Sequence, residues 1–276
     1  MVNELKVQIS RILMVLRSYG LKNWRGSLYW LMKNKIIVFT DESAFGKATL
    51  EHGKMLAQIF DAEVQEVNIA KKTDLNVFIR DDSILCFVMP VAYSKKESFF
   101  NVKRARKWIR KSRVPVFTVG NFEPKTNDYQ QIILPLDIHC QEKELALWAS
   151  YFPAYFQKNC PHIPKENVLI HLIFNQYKDE FLHKKVQNNV DFAKKMFDNL
   201  ELTYKLHSFT NVDNIHTFGL QFAQKTENSV LLYLMPEYNS LVDLIFGPVS
   251  NRLLGNKEQI PVLCLNARDD IFVLCR

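Results

Sequence analysis

Two kinds of hydrophobic spacing alternate along this chain. Short, continuous apolar runs mark strands covered on both faces. They occur at Ile36–Thr40, Ile84–Met89, Pro115–Val119, Ile132–Leu136, Val168–Phe174, Ser229–Met235 and Ile260–Leu265. Between them, apolar residues recur every three or four positions, the stripe of an amphipathic helix. Leu50, Met55, Leu56 and Ile59 form such a stripe in a helix predicted over Ala44–Phe60. Leu145, Trp148, Ala149 and Phe152 do so over Gln141–Gln157, and Phe181, Val186, Val190, Ala193 and Phe197 over Lys178–Leu200. Weaker strands are expected over Glu63–Ile69 and Leu202–Phe209, with shorter helices at Asp74–Arg80, at Phe99–Lys111 and after Gly247. Asn211 is the expected cap of a helix carrying Ile215, Phe218 and Phe222. Strands alternating with helices in this way predict an α/β protein built on a doubly wound parallel sheet.

The string of elements occurs twice. Ile36–Asp41 and Ile132–Asp137 both end in aspartate and both precede a helix. Ser83–Pro90 parallels Val230–Pro236, and Arg113–Val119 parallels Gln259–Leu265. This is an internal duplication. From Asp41 to Val114 there are about 73 positions, and from Asp137 to Ile260 about 123, so the first copy lacks roughly one helix and one strand. The expected division is a basic helical extension over 1–34, a truncated first repeat over 35–120, a complete second repeat over 128–268 and a tail over 269–276. Gly120–Asn127, with Pro124, is the linker.

This ordered set resembles the universal stress proteins in their tandem form. The family's Pro-x-Asp at the end of the opening strand falls on Pro135, Leu136 and Asp137. Its Gly-(Ser/Thr)-Val-Ser segment falls on Gly247–Ser250, and its closing Pro-Val on Pro261 and Val262. The resemblance implies two Rossmann-like repeats paired as a pseudo-dimer, with Pro115–Val119 and Pro261–Leu265 near the interface. It further implies stress-linked signalling or scaffolding in the cytoplasm, through protein partners or self-association by the closing strands. ATP or AMP would be held by Pro135, Asp137, Gly247, Val249 and Ser250.

The chain departs from the nucleotide-binding pattern of that family. Counting back from Gly247, the phosphate-loop glycine positions hold Leu234 and Glu237, and Pro248 stands where Ser or Thr belongs. Proline has no N–H to donate, and Glu237 repels phosphate. The first repeat has Met89, Pro90, Tyr93 and Lys95 in that region and no glycine. The expectation is a degenerate nucleotide cleft that requires no cofactor, in a protein that is not an enzyme. Asp41 and Asp137 have an ordinary alternative role as caps of the helices that follow them.

No catalytic motif stands out. The seven histidines form no HExxH or metal-type cluster, and neither a GxSxG elbow nor a Walker loop is present. His139 and Cys140 follow Asp137, but neighbours in sequence rarely have the geometry of a nucleophile and its base. The five cysteines include no CxxC pair, which points to a reducing compartment.

Charge adds one further reading. The net charge of +7 is concentrated in two segments. Residues 1–34 hold six Lys/Arg against Glu4, and residues 93–113 hold nine against Glu97, so the rest is mildly acidic. The patches could meet an anionic membrane surface or nucleic acid. No nucleic-acid motif accompanies them, and the simpler reading of Lys103, Arg104, Arg106, Lys107, Arg110 and Lys111 is a solvated outer helix carrying Trp108. No apolar run approaches the ~20 residues of a membrane helix, and Glu4, Lys6, Arg11 and Arg17 interrupt any leader-like run.

Overall fold

The computed structural model describes residues 34–69, 78, 81, 83–92, 100–125, 128–236 and 248–266. Its elements in chain order are β1 (Lys35–Thr40), α1 (Ala44–Phe60), β2 (Glu63–Asn68), β3 (Ile84–Pro90), α2 (Val102–Ile109) and β4 (Val116–Val119). There follow β5 (Gln131–Leu136), α3 (Glu142–Asn159), β6 (Leu169–Gln176), α4 (Glu180–Asn199), β7 (Tyr204–Thr210), α5 (Ile215–Gln224), β8 (Ser229–Met235), α6 (Val249–Leu254) and β9 (Val262–Asn266). Most of the extension over 1–34, the expected helix over Asp74–Arg80 and the tail over 269–276 lie outside the described residues.

The nine strands of the described residues join one sheet in the order β2-β1-β3-β4-β9-β8-β5-β6-β7. Every pairing is parallel except β4 with β9, where Val116 meets Cys264 and Thr118 meets Val262 in antiparallel register. The second half is therefore a doubly wound sheet with its switch point between β5 and β8. Among the described residues the first half has the same plan without a counterpart of β7, so β2 forms one outer edge of the sheet and β7 the other. Each closing strand is flanked on both sides. The two closing strands pair with each other inside the chain, and neither has an unpaired edge.

The apolar runs become the strands because both faces of the sheet are covered. Helices α1, α3 and α4 pack on one face and α2, α5 and α6 on the other, giving two core layers. Residues of β3, β4, β8 and β9 are buried throughout, which is why these segments read as continuous rather than alternating. Local caps set the helix starts. Ser43 accepts the Gly46 N–H to begin α1, and Asp179 accepts the Leu182 N–H to begin α4. The cap of α5 is Asn214, not Asn211: Asn214 accepts the Thr217 N–H at 2.8 Å, whereas Asn211 sits in the left-handed region at φ 60° and turns the chain out of β7.

On the α1–α3 face the two halves share an aromatic seam. Phe60 at the end of α1 lies with its ring centroid 6.2 Å from Trp148, 5.3 Å from Phe152 and 5.5 Å from Tyr155. Lys158 bridges to Asp61 at 2.9 Å, and Asn159 Nδ2 donates to the Ile59 carbonyl at 2.7 Å. The connection between the halves is pinned as well. Buried His52 of α1 is hydrogen-bonded to the Tyr129 hydroxyl and to the Phe122 carbonyl, at 3.1 Å in the latter case.

Candidate functional site

In an open parallel sheet, ligands bind beyond the carboxyl ends of the strands. The antiparallel joint sends the carboxyl ends of β1–β4 to one end of the molecule and those of β5–β9 to the other. The two ends differ in what fills them.

At the first end, Asp41 follows β1. Its Oδ1 accepts the Ser43 N–H at 3.0 Å and also the Ser43 hydroxyl, and Ser43 in turn caps α1, so Asp41 shapes the helix entry. Between β1 and β3 the α2 side is packed with rings. Phe39 stacks on Phe87 at 5.5 Å, and Trp108 meets both edge-on, at 5.0 Å and 4.7 Å. Trp108 was expected on the outer face of the basic helix. It is instead partly buried against the core, because α2 leans on the sheet through buried Ala105 and Ile109 and the indole packs beside them.

At the second end, the registered pairing of β5 with β8 stops at Ile133 and Leu231. Pro135 lies two residues beyond, and its missing N–H suits a point where neighbouring strands part. Its ring is buried beneath α5, so close to Gly219 that a Cβ there would stand 2.5 Å from Pro135 Cγ. Pro135 therefore shapes the switch point by packing against α5. Val249 and Ser250 open α6 at the same end, with Ser250 buried. Gly247 lies outside the described residues.

Asp137 follows β5 and is half-buried, and it does not cap α3. The residue before that helix is Gln141, which makes no side-chain cap. The Asp137 carboxylate accepts the Tyr177 hydroxyl at 2.7 Å, its carbonyl accepts Asn189 Nδ2 at 2.7 Å, and its N–H donates to Glu142 Oε2. Burial, together with this bond and the charge of Asp137, pushes the Tyr177 phenol up to about 12.

The central feature of this end was not anticipated. Glu142, the first residue of α3, is fully buried, and its Oε1 faces His216 Nε2 at 3.5 Å. His216 is the second residue of α5, and its ring packs edge-on to Tyr233 of β8 at 5.3 Å. The two helices cover opposite faces of the sheet, so the pair closes over the switch point from both sides. Burial raises the carboxyl of Glu142 above its ordinary value. His216 and the Asp137 N–H pull it down, and the Asp137 charge adds a further push upward.

Several polar atoms at this end are buried without a well-formed hydrogen bond: Glu142 Oε1, which has the His216 contact alone, Asn175 Oδ1, His216 Nδ1, Thr217 Oγ1, Ser250 Oγ and Asn266 Oδ1. The first half also contributes to the rim. Arg110 Nε donates to the Pro236 carbonyl at the end of β8, and Arg106 Nη1 to Asn251 Oδ1, both at 3.0 Å. Among the described residues no group of three or more His, Cys, Asp or Glu could hold a metal ion, and no helix is long and apolar enough to cross a membrane.

No family model matches the chain, and no curated protein matches it in sequence. Among solved structures, a universal stress protein from Archaeoglobus fulgidus DSM 4304 is similar with a TM-score of 0.53 at 15% identity, over 88% of this chain and 99% of that one. The architecture described above is thus a universal-stress-protein-like, Rossmann-like α/β fold.

Proposed function

We propose that the chain is a non-enzymatic stress-response module of the universal stress protein kind, acting in signalling or as a scaffold through protein partners. Its nucleotide cleft is degenerate. The observation that carries this reading is the Glu142 carboxylate buried at the switch point, where it takes the Asp137 N–H and faces His216. A buried carboxylate there opposes a phosphate-bearing ligand by charge and by occupancy. The cytoplasm is the compartment that fits this role.

Native mass spectrometry with millimolar ATP tests the reading. The expected result is the bare chain. An adenine-nucleotide adduct that disappears in Asp137→Ala would overturn it. That outcome belongs to a second reading, an ATP- or AMP-binding protein using Asp137, Val249 and Ser250, which the arginines at the rim and the unpartnered Ser250 hydroxyl favour.

A further inference from the structure

We propose that the switch point of the second half is a subsite for a small oxyanion, occupied in the resting protein by the side chain of Glu142. The inference rests on the reading of this cleft as closed to nucleotide by the protein's own groups.

Four observations converge on the carboxylate. It receives a backbone N–H, from Asp137. It faces an imidazole, His216 Nε2, at 3.5 Å, and Nδ1 of the same ring is unpartnered although His216 is only 8% exposed. It lies at the first turns of two helices of 18 and 10 residues, whose positive ends favour an anion. The corresponding helix of the first half, α1, carries no acid in its first turn, so the fold itself does not demand one there. Among the described residues, the remaining groups that act on the site from neighbouring elements are Asp137, the Tyr177 phenol after β6 and Tyr233 of β8, and of these three Asp137 adds negative charge.

Donors gathered around one buried acid describe a receptor for a carboxylate or a phosphoryl oxygen group. Glu142 fills it because it is tethered, with no association entropy to lose. An external anion reaches the subsite only when Glu142 leaves. The side chain thus sets the threshold for ligand entry, as an internal competitor.

Chemical rescue tests this. Thermal unfolding is followed at constant ionic strength while chloride is exchanged for formate, with inorganic phosphate and AMP as separate arms. Glu142→Ala is expected to gain stability saturably. At formate ten times its dissociation constant, the folded-to-unfolded ratio rises about elevenfold. Wild type and Glu142→Gln, whose subsite stays filled, are expected to show no such rise, and Glu142→Ala combined with His216→Asn to lose it. Rescue by formate alone assigns a carboxylate-sized group, and rescue by phosphate or AMP assigns a phosphoryl group. A flat response of Glu142→Ala in every arm, or an equal rise in wild type or in the double variant, overturns the proposal. Should Glu142→Ala not fold, Glu142→Ser, which opens the subsite while leaving a small polar side chain, serves in its place. An ATP adduct on the wild-type chain would end the closed-cleft reading without altering the formate result, so the two failures are distinguishable.

Discussion

His171 Nδ1 and His207 Nε2 meet at 3.0 Å, joining neighbouring strands β6 and β7 through their imidazoles. The protonation of both rings is set from one end. Gln131 Nε2 donates to the Asn167 carbonyl, so its Oε1 accepts from His171 Nε2 at 2.9 Å. That leaves His171 Nδ1 as the acceptor and His207 Nε2 as the donor. Phe222 of α5 packs against both rings.

This arrangement makes stability fall in acid. Burial holds His171 down to about 4 and lowers His207, with the charge of Lys205 adding to both. Burial likewise holds His52 down to about 4, against the Phe122 carbonyl, which pulls it up. A base with a depressed folded-state pKa takes up its proton more readily when unfolded. Its contribution is therefore complete above pH ~6.5 and is lost as the pH falls toward 4. For fully buried His52 the loss is about 3 kcal/mol. Urea unfolding at pH 7.5 and 4.5 measures it. His171→Gln combined with His207→Gln is expected to flatten the decline, and an unchanged slope would refute the assignment.

Gly219→Ala is expected to destabilise by about 1–3 kcal/mol despite the higher helix propensity of alanine, worth ~1 kcal/mol. The new Cβ would stand 2.5 Å from the Pro135 ring and 3.3 Å from Leu231 Cδ1, and a proline ring in a strand cannot swing away. Adding Pro135→Ala should recover part of the loss, giving a non-zero coupling in a double-mutant cycle. Strict additivity would show that the close approach does not matter.

Asn266 closes β9 and donates to the Arg110 and Ser112 carbonyls of the other half. Its replacement by alanine leaves two carbonyls without this donor and should cost about 1–3 kcal/mol in chemical denaturation. A midpoint equal to wild type would mean that these bonds are replaced by solvent at no cost.

Trp108 distinguishes an outer basic helix that reads anionic surfaces from one whose aromatic belongs to the core. Trp108→Leu is expected to leave any affinity for DNA or anionic vesicles unchanged while lowering stability, because the ring packs on Phe39 and Phe87. A loss of such binding at unchanged stability would reverse the assignment.

The fold was legible because burial on both faces leaves strands as unbroken apolar runs. Ser229–Met235 and Ala44–Phe60 have in the structure the boundaries that spacing predicts. The antiparallel joint follows from a duplicated plan whose closing strands meet. The cap of α5 was misplaced because two asparagines, Asn211 and Asn214, compete within four residues, and only backbone geometry separates a turn from a cap. Glu142 and His216 were missed for a different reason. An acid in a first turn reads as ordinary dipole complementation, and its partner is 74 positions away in the numbering. The topology held the missing signal. Helices that follow β5 and β7 both begin at the carboxyl edge, so their first residues converge once the sheet is wound.

The linker over residues 120–127 turns the β4–β9 joint into a matter of stoichiometry. Within one chain the closing strands find each other at a millimolar-scale effective concentration, whatever the dilution. Cut between the halves, the same joint would obey mass action. Each fragment would then carry a raw sheet edge, open to a copy of itself. Covalent continuity thereby enforces a strict one-to-one pairing of unlike halves, the shortened one always with the complete one, and keeps two identical halves from taking the place of that mixed pair.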